Sequence, residues 1–133
     1  MNTQLTEPRE ELNLITGEVI GTAIEVHRIL GPGFLESIYE EALGIELIRR
    51  RIPFQRQVAV EVLYQGQVVG QSRLDMVVGG HLIVELKAVP QVLPIHVAQL
   101  TSYLKAYRQP LGLLINFQVP LLPAGIRRVV WSR

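Results

Sequence analysis

The 133-residue chain contains no cysteine. Disulfides, thiolate zinc sites and a cysteine nucleophile are therefore excluded. No stretch reaches the ~18 uninterrupted apolar residues of a membrane-spanning helix. The first residues are polar and acidic and carry no signal-peptide apolar run. A cytoplasmic protein with no membrane partner is the expectation. Charge of one sign is also missing: 13 Lys and Arg against 12 Asp and Glu leave a formal net charge of +1. Global charge gives no argument for nucleic-acid binding. Local basic clusters remain, at Arg49-Arg50-Arg51, at Arg56, and at Arg127-Arg128 with Arg133.

Apolar residues are abundant instead. They make up 48% of the chain, and mean hydropathy is +0.25. The length suits one domain over residues 1–133, with residues 1–8 frayed or disordered. Fully buried central strands account for part of the apolar excess. A self-association surface would account for the remainder, so a homo-oligomer, at least a dimer, is expected.

Periodicity orders the elements. Leu12, Ile15, Val19, Ala23, Val26 and Leu30 recur every three or four residues, which predicts a helix over about 10–30. Gly31-Pro32-Gly33 stops it. A second helix is predicted over about 35–50, with Leu35, Ile38, Tyr39, Ala42, Leu43 and Leu47 as its apolar face. On this reading Glu40, Glu41 and Glu46 form its wet face, and the arginine triplet complements the dipole at its end. Val58, Val60, Val62 and Tyr64 alternate, which predicts a strand over 57–64. Strands over about 68–78 and 81–88 come next. A helix over 95–107, a buried strand over 111–117 and a short strand over 126–131 complete the order. The strands on either side of the third helix should pair in parallel, since that helix is a crossover connection.

Charge in the middle of a predicted buried strand stands out. Asp75 is followed ten residues later by Glu85-Leu86-Lys87. On a strand Glu85 and Lys87 point together while Leu86 points away. Buried charges are costly unless paired or bound to a metal. A carboxylate pair beside a lysine suits Mg²⁺ and phosphodiester hydrolysis.

Asp75, Glu85-x-Lys87, Gln99-x-x-x-Tyr103 and the helical Glu36 together resemble the PD-(D/E)XK nuclease superfamily. More narrowly, Gly33-Phe-Leu-Glu36-Ser-Ile-Tyr39 resembles the signature of the small GxxExxY protein family. The resemblance runs from about Leu12 to about Val130. It implies an α/β fold: a restriction-endonuclease-like core, αβββαβ, with a mixed central sheet, an extra N-terminal helix and an extra C-terminal strand. It implies Mg²⁺ or Mn²⁺ held by Asp75, Glu85, the Leu86 carbonyl and Glu36, the last directly or through water. Lys87 would position the attacking water and stabilise charge on the phosphate. Gln99 and Tyr103, one turn apart on a helix, would contact substrate or the metal's water shell. Nucleic acid is the implied partner, DNA ahead of RNA.

Hairpin geometry supplies a test of the acid pair. A two-residue turn at Gly79-Gly80 would place Asp75 opposite Val84 and facing away from Glu85. A shared site therefore requires an odd-length loop or a β-bulge within residues 77–82. Two other readings are kept open. One is a catalytically weak or inactive module of the same fold that binds nucleic acid or protein. The other is a self-assembling scaffold in which the acids serve only structure. Tyr39 is expected to pack rather than react, His27 to be a satisfied core histidine and His81 to be exposed at a turn. His96 is left undecided.

Overall fold

A computed structural model describes residues 10–132. The segment 1–8, expected to be frayed, and Arg133 lie outside the described residues. Helices α1 (Glu10–Leu30) and α2 (Glu36–Arg49) come first, followed by strands β1 (Phe54–Tyr64), β2 (Gln67–Val78) and β3 (Leu82–Lys87). Helix α3 (Pro94–Tyr107), strand β4 (Leu111–Asn116), a 3₁₀ turn (Leu122–Gly125) and strand β5 (Ile126–Val130) complete the chain. One five-stranded sheet runs β1-β2-β3-β4-β5. All neighbours are antiparallel except β3 and β4, which pair in parallel across α3. This is the expected mixed sheet, with α1 and β5 added to a restriction-endonuclease-like core.

Helices cover both faces. Leu12, Val19, Ala23 and Val26 of α1 and Tyr39, Leu43 and Leu47 of α2 pack on Met76, Val78, Leu82, Val84, Leu86, Leu113 and Ile115. On the opposite face Leu100 and Leu104 of α3 pack on Val60, Leu74, Val77, Ile83, Leu114 and Val129. Burial on both sides is why β3 and β4 read as near-continuous apolar runs in the sequence.

Two expectations need correction. Leu35 and Ile38 are exposed rather than part of the apolar face of α2. Leu35 precedes the helix, and the buried stripe is Tyr39, Leu43 and Leu47 with Gly44 and Glu40 between them. Strand β1 starts at Phe54, three residues before the regular alternation begins. Gln57 has a left-handed backbone, φ 52°, so the alternation breaks there and hides the first turn of strand. Further along, Val62 and Tyr64 are exposed although they share a face with buried Val60. The end of the β1–β2 hairpin is exposed and closes in a two-residue turn, Gln65-Gly66, with both residues at positive φ.

The β2–β3 connection sets the register of the acid pair. Val78 pairs with Leu82, leaving a three-residue loop, Gly79-Gly80-His81. The odd-length loop expected from the acid pair is present. Gly79 has φ 62°, and a Cβ there would lie 2.8 Å from the Ile15 Cδ1 of α1. Its N–H donates to the Pro53 carbonyl at 2.8 Å. The backbone angle thus favours glycine, and a side chain there would also have to displace the tip of Ile15. Gly79→Val should destabilise the fold by about 2 kcal/mol or more, read as a lower midpoint in chemical unfolding. Gly80→Ala, with nothing near its missing Cβ, should cost less than Gly79→Val.

Candidate active site

The start of α2 is held by its own motif. Gly31 and Gly33 adopt positive φ, 69° and 113°, which turns the chain between helices. Tyr39 is fully buried and stacks on Phe117 with ring centroids 4.4 Å apart. Its hydroxyl donates to the Gly31 carbonyl at 2.6 Å and accepts from the Phe34 N–H at 3.2 Å. Gly33 N–H donates to Gln118 Oε1 at 3.0 Å. Glycine supplies the turn and tyrosine clamps it. Glu36 is thereby placed as the first residue of α2, where its Oε2 accepts the Ala88 N–H at 3.3 Å just beyond β3. Packing is therefore the role of Tyr39, as its helical spacing indicates.

The acid pair lies where β2 and β3 part. The paired residues end at Met76↔Val84, and side chains take over from the backbone ladder there. Asp75 N–H donates to Glu85 Oε2 at 2.8 Å, and Leu86 N–H donates to Asp75 Oδ2 at 2.9 Å. Each carboxylate accepts a backbone amide of the neighbouring strand with one oxygen. Lys87 comes next on the same side of β3 as Glu85, while Leu86 is buried under α1 and α2. Lys87 pairs in register with Asn116 of β4. Buried Asn116 donates to the Val89 carbonyl at 2.9 Å and accepts the Val89 and Gln118 N–H groups at 3.1 and 3.2 Å. That satisfied amide fixes the path of the chain leaving β3.

Helix α3, which covers the side of β3 that carries Ile83 and Glu85, contributes one residue. Burial first, and then the charges of Glu85 and Asp75, raise the pKa of the Tyr103 hydroxyl, against the neighbouring Ser72 side chain. Gln99, a turn earlier, is exposed. His96 resolves as a helix cap, its Nδ1 accepting the Leu93 N–H at 2.9 Å. His27 is a satisfied core histidine, with Nε2 2.8 Å from the Val119 carbonyl oxygen. His81 is exposed in the turn.

A model of the PD-(D/E)XK nuclease superfamily matches residues 13–129, from α1 to β5. The chain belongs to that superfamily. No match was found among curated proteins or among solved structures.

Superfamily membership directs attention to the other acids of α2. Helical periodicity assigns Glu40 to the wet face of that helix, yet it is only 8% exposed. Its Oε2 accepts Arg56 Nε at 2.9 Å, and both of its oxygens accept Gln57 Nε2, at 3.0 and 3.2 Å. Arg56 also reaches Glu41 at 2.7 Å. Glu40 lies one turn after Glu36 on the same side of α2. That spacing is the only sequence signal for it. Glu41 does lie toward solvent, whereas Glu46 is half-buried and pairs with Arg49 and Arg50.

Electrostatics concentrates on the fork between β2 and β3. Burial, followed by the neighbouring Asp75 charge, pushes the Glu85 carboxyl up to about 8, against the Asp75 N–H and Lys87. Asp75 is also raised, first by burial and then by Glu40 and Glu36, against the Leu86 N–H and Lys87. Such a pair lacks positive charge, and a hard divalent cation would supply it. The donor set fits: two adjoining carboxylates, each with one oxygen not engaged by those amides, beside a lysine. Glu36 is turned to the Ala88 amide, and among the described residues no three acid, histidine or cysteine groups converge as a ready cation site. Recruiting Glu36 would therefore require it to leave that amide or to act through water.

The raised acids set a pH dependence in the absence of metal. Exposed Glu85 ionises near 4.5, whereas folded Glu85 ionises near 8. Between those values the unfolded chain releases a proton that the folded chain keeps. Its contribution to stability is therefore full below pH 4.5 and is lost as pH rises through 8. Asp75 acts in the same direction from its ordinary 3.8. Exposed Glu25 and Glu41 are lowered instead, so they act below this window. The midpoint of thermal unfolding in chelator should fall by ~4 °C or more between pH 5 and pH 8.5. Glu85→Gln should flatten that fall, and an unchanged slope would refute the assignment.

Proposed function

We propose that the chain is a divalent-metal-dependent nuclease that hydrolyses phosphodiester bonds of nucleic acid, using Mg²⁺ or Mn²⁺. The observation that carries this reading is the reciprocal capture of backbone amides by Asp75 and Glu85 at the β2–β3 fork, with Lys87 on the same strand. Gly33, Glu36 and Tyr39 further support a place in the GxxExxY family, because each has a distinct task in aiming the start of α2. Asp75, Glu85 and the Leu86 carbonyl would hold the cation, with Glu36 joining directly or through water. When bound, that ion would lower the pKa of a coordinated water and neutralise phosphate charge.

The chain's own groups supply the rest. Lys87 places a positive charge beside the acids, where it orients the attacking water and stabilises the additional negative charge on phosphorus. Charge stabilisation, rather than proton abstraction, is the role proposed for it. Tyr103 borders the site from α3. Gln99, exposed on the same helical side, would touch the nucleic-acid backbone.

Purified protein incubated with labelled DNA or RNA should cleave only with Mg²⁺ or Mn²⁺. Asp75→Ala and Lys87→Ala should each lower the rate by ~100-fold or more. Glu36→Gln should lower it by ~10-fold, as expected of a group acting at one remove. Cleavage persisting unchanged in both alanine variants would rule this site out as its source.

The position of Glu36 favours a second reading. An acid held on a backbone amide rather than converged with the pair suits a module that binds nucleic acid and turns it over weakly or not at all. Metal-independent retardation in a gel shift, with no cleavage under any divalent ion, would select that reading.

A further inference from the structure

We propose that Gln57 is a positioning residue for the acid pair: its left-handed backbone turns β1 and β2 so that Asp75 reaches β3, and its amide ties Glu40 to the same point. The inference deepens the nuclease reading, which supplies its consequence for metal binding.

Three observations meet at this position. Gln57 has φ 52°, inside a strand where a residue with a Cβ rarely adopts that angle. It falls opposite Asp75, between the pairs Arg56↔Met76 and Val58↔Leu74, and these two residues are missing from a ladder that is otherwise continuous from Phe54↔Val78 to Val62↔Gly70. The register is the same on both sides, so neither strand gains a residue relative to the other. Both strands nevertheless change face there. Phe54 packs with the α1–α2 layer, whereas Val58 and Val60 pack with α3. Met76 and Val78 pack with α1 and α2, whereas Leu74 packs with α3. All of these are even-numbered positions that unbroken alternation would keep on one face.

The reversal explains how Asp75 is presented. Alternation from Val77 keeps Asp75 on the side of β2 that Ile83 and Glu85 occupy on β3. The reversal begins at Asp75 itself, whose carboxylate takes the Leu86 N–H of the next strand while its own N–H donates to Glu85. Glycine would relieve the backbone at position 57 more cheaply. Glutamine stands there because its amide has a second task. It donates to both oxygens of buried Glu40, whose charge Arg56 balances from the adjacent position on β1. A strained angle persists only where its surroundings over-determine it, and here side chain and backbone are both engaged.

The test is hydrogen exchange at the Asp75 and Leu86 amides in metal-free protein, well below the unfolding temperature. Gln57→Gly keeps the turn and should hold both rates within ~3-fold of wild type. Gln57→Thr, whose branched Cβ resists positive φ, should accelerate both by ~10-fold or more. Val60→Ala, a destabilising control elsewhere on β1, should leave both near wild type. Wild-type protection in Gln57→Thr, or equal acceleration in Val60→Ala, would overturn the proposal. Should Gln57→Thr not fold, the sign of the Gln57 φ from NMR couplings in the wild type decides, a negative angle overturning it. Mn²⁺ calorimetry separates the two readings. Wild type that binds no Mn²⁺ yet gives the expected exchange pattern retires the nuclease reading and keeps the positioning role. Wild type that binds Mn²⁺ while Gln57→Thr exchanges as wild type does the reverse.

Discussion

A buried carboxylate set beside a half-buried one, where one strand parts from the next, is the constraint that organises this molecule. Like charges in a poorly hydrated place raise each other's pKa, and the Glu85 carboxyl is pushed up to about 8. A fold arranged for stability alone would separate them or pair each with a cation. Here they are stitched to the backbone instead, each accepting an amide from the opposite strand. The cost of burying them is offset locally by hydrogen bonds, and the remaining shortage of positive charge is what a divalent ion would relieve.

The surrounding architecture holds this arrangement in place. The three-residue turn at Gly79-Gly80-His81 sets the register in which Asp75 lies across from Glu85. Helix α1 guards that turn through Ile15. The Tyr39 clamp aims the first turn of α2 at the end of β3. Asn116 fixes the chain beyond Lys87. These contacts come from distant parts of the sequence. Weakening any one of them should therefore loosen the same few ångströms around the acids.

The repeating features were legible in the sequence. Helical spacing outlined α1 and α3, and the apolar runs outlined β3 and β4, because burial on two faces leaves a simple pattern. Asp75 and Glu85-x-Lys87 stood out because charge inside an apolar strand is costly. The odd-length turn came from side-chain parity alone. Gln57 was illegible because glutamine carries no signal for positive φ, and its break in the alternation looked like the start of the strand. Glu40 was illegible because an acid on a helix resembles solvated surface until a strand presents Arg56 and Gln57 to it. Leu35 and Ile38 misled because an apolar residue beside a stripe of the right period need not belong to it.

Net charge conceals the field that matters for a polyanionic substrate. The chain is nearly neutral overall, but three of its arginines are engaged by acids of α2 rather than by the fork. Arg56 is held by Glu40 and Glu41, and Arg49 and Arg50 are held by Glu46. Around Asp75 and Glu85 the nearby charges that raise their pKa values include Glu36 and Glu40, opposed by Lys87. A phosphate approaching that point meets excess negative charge, and one lysine does not balance it. On electrostatic grounds alone, then, a nucleic-acid backbone and a divalent cation should favour each other's binding here. Each carries the charge that the other needs in order to enter a partly buried acidic notch, and such coupling is reciprocal by thermodynamic necessity.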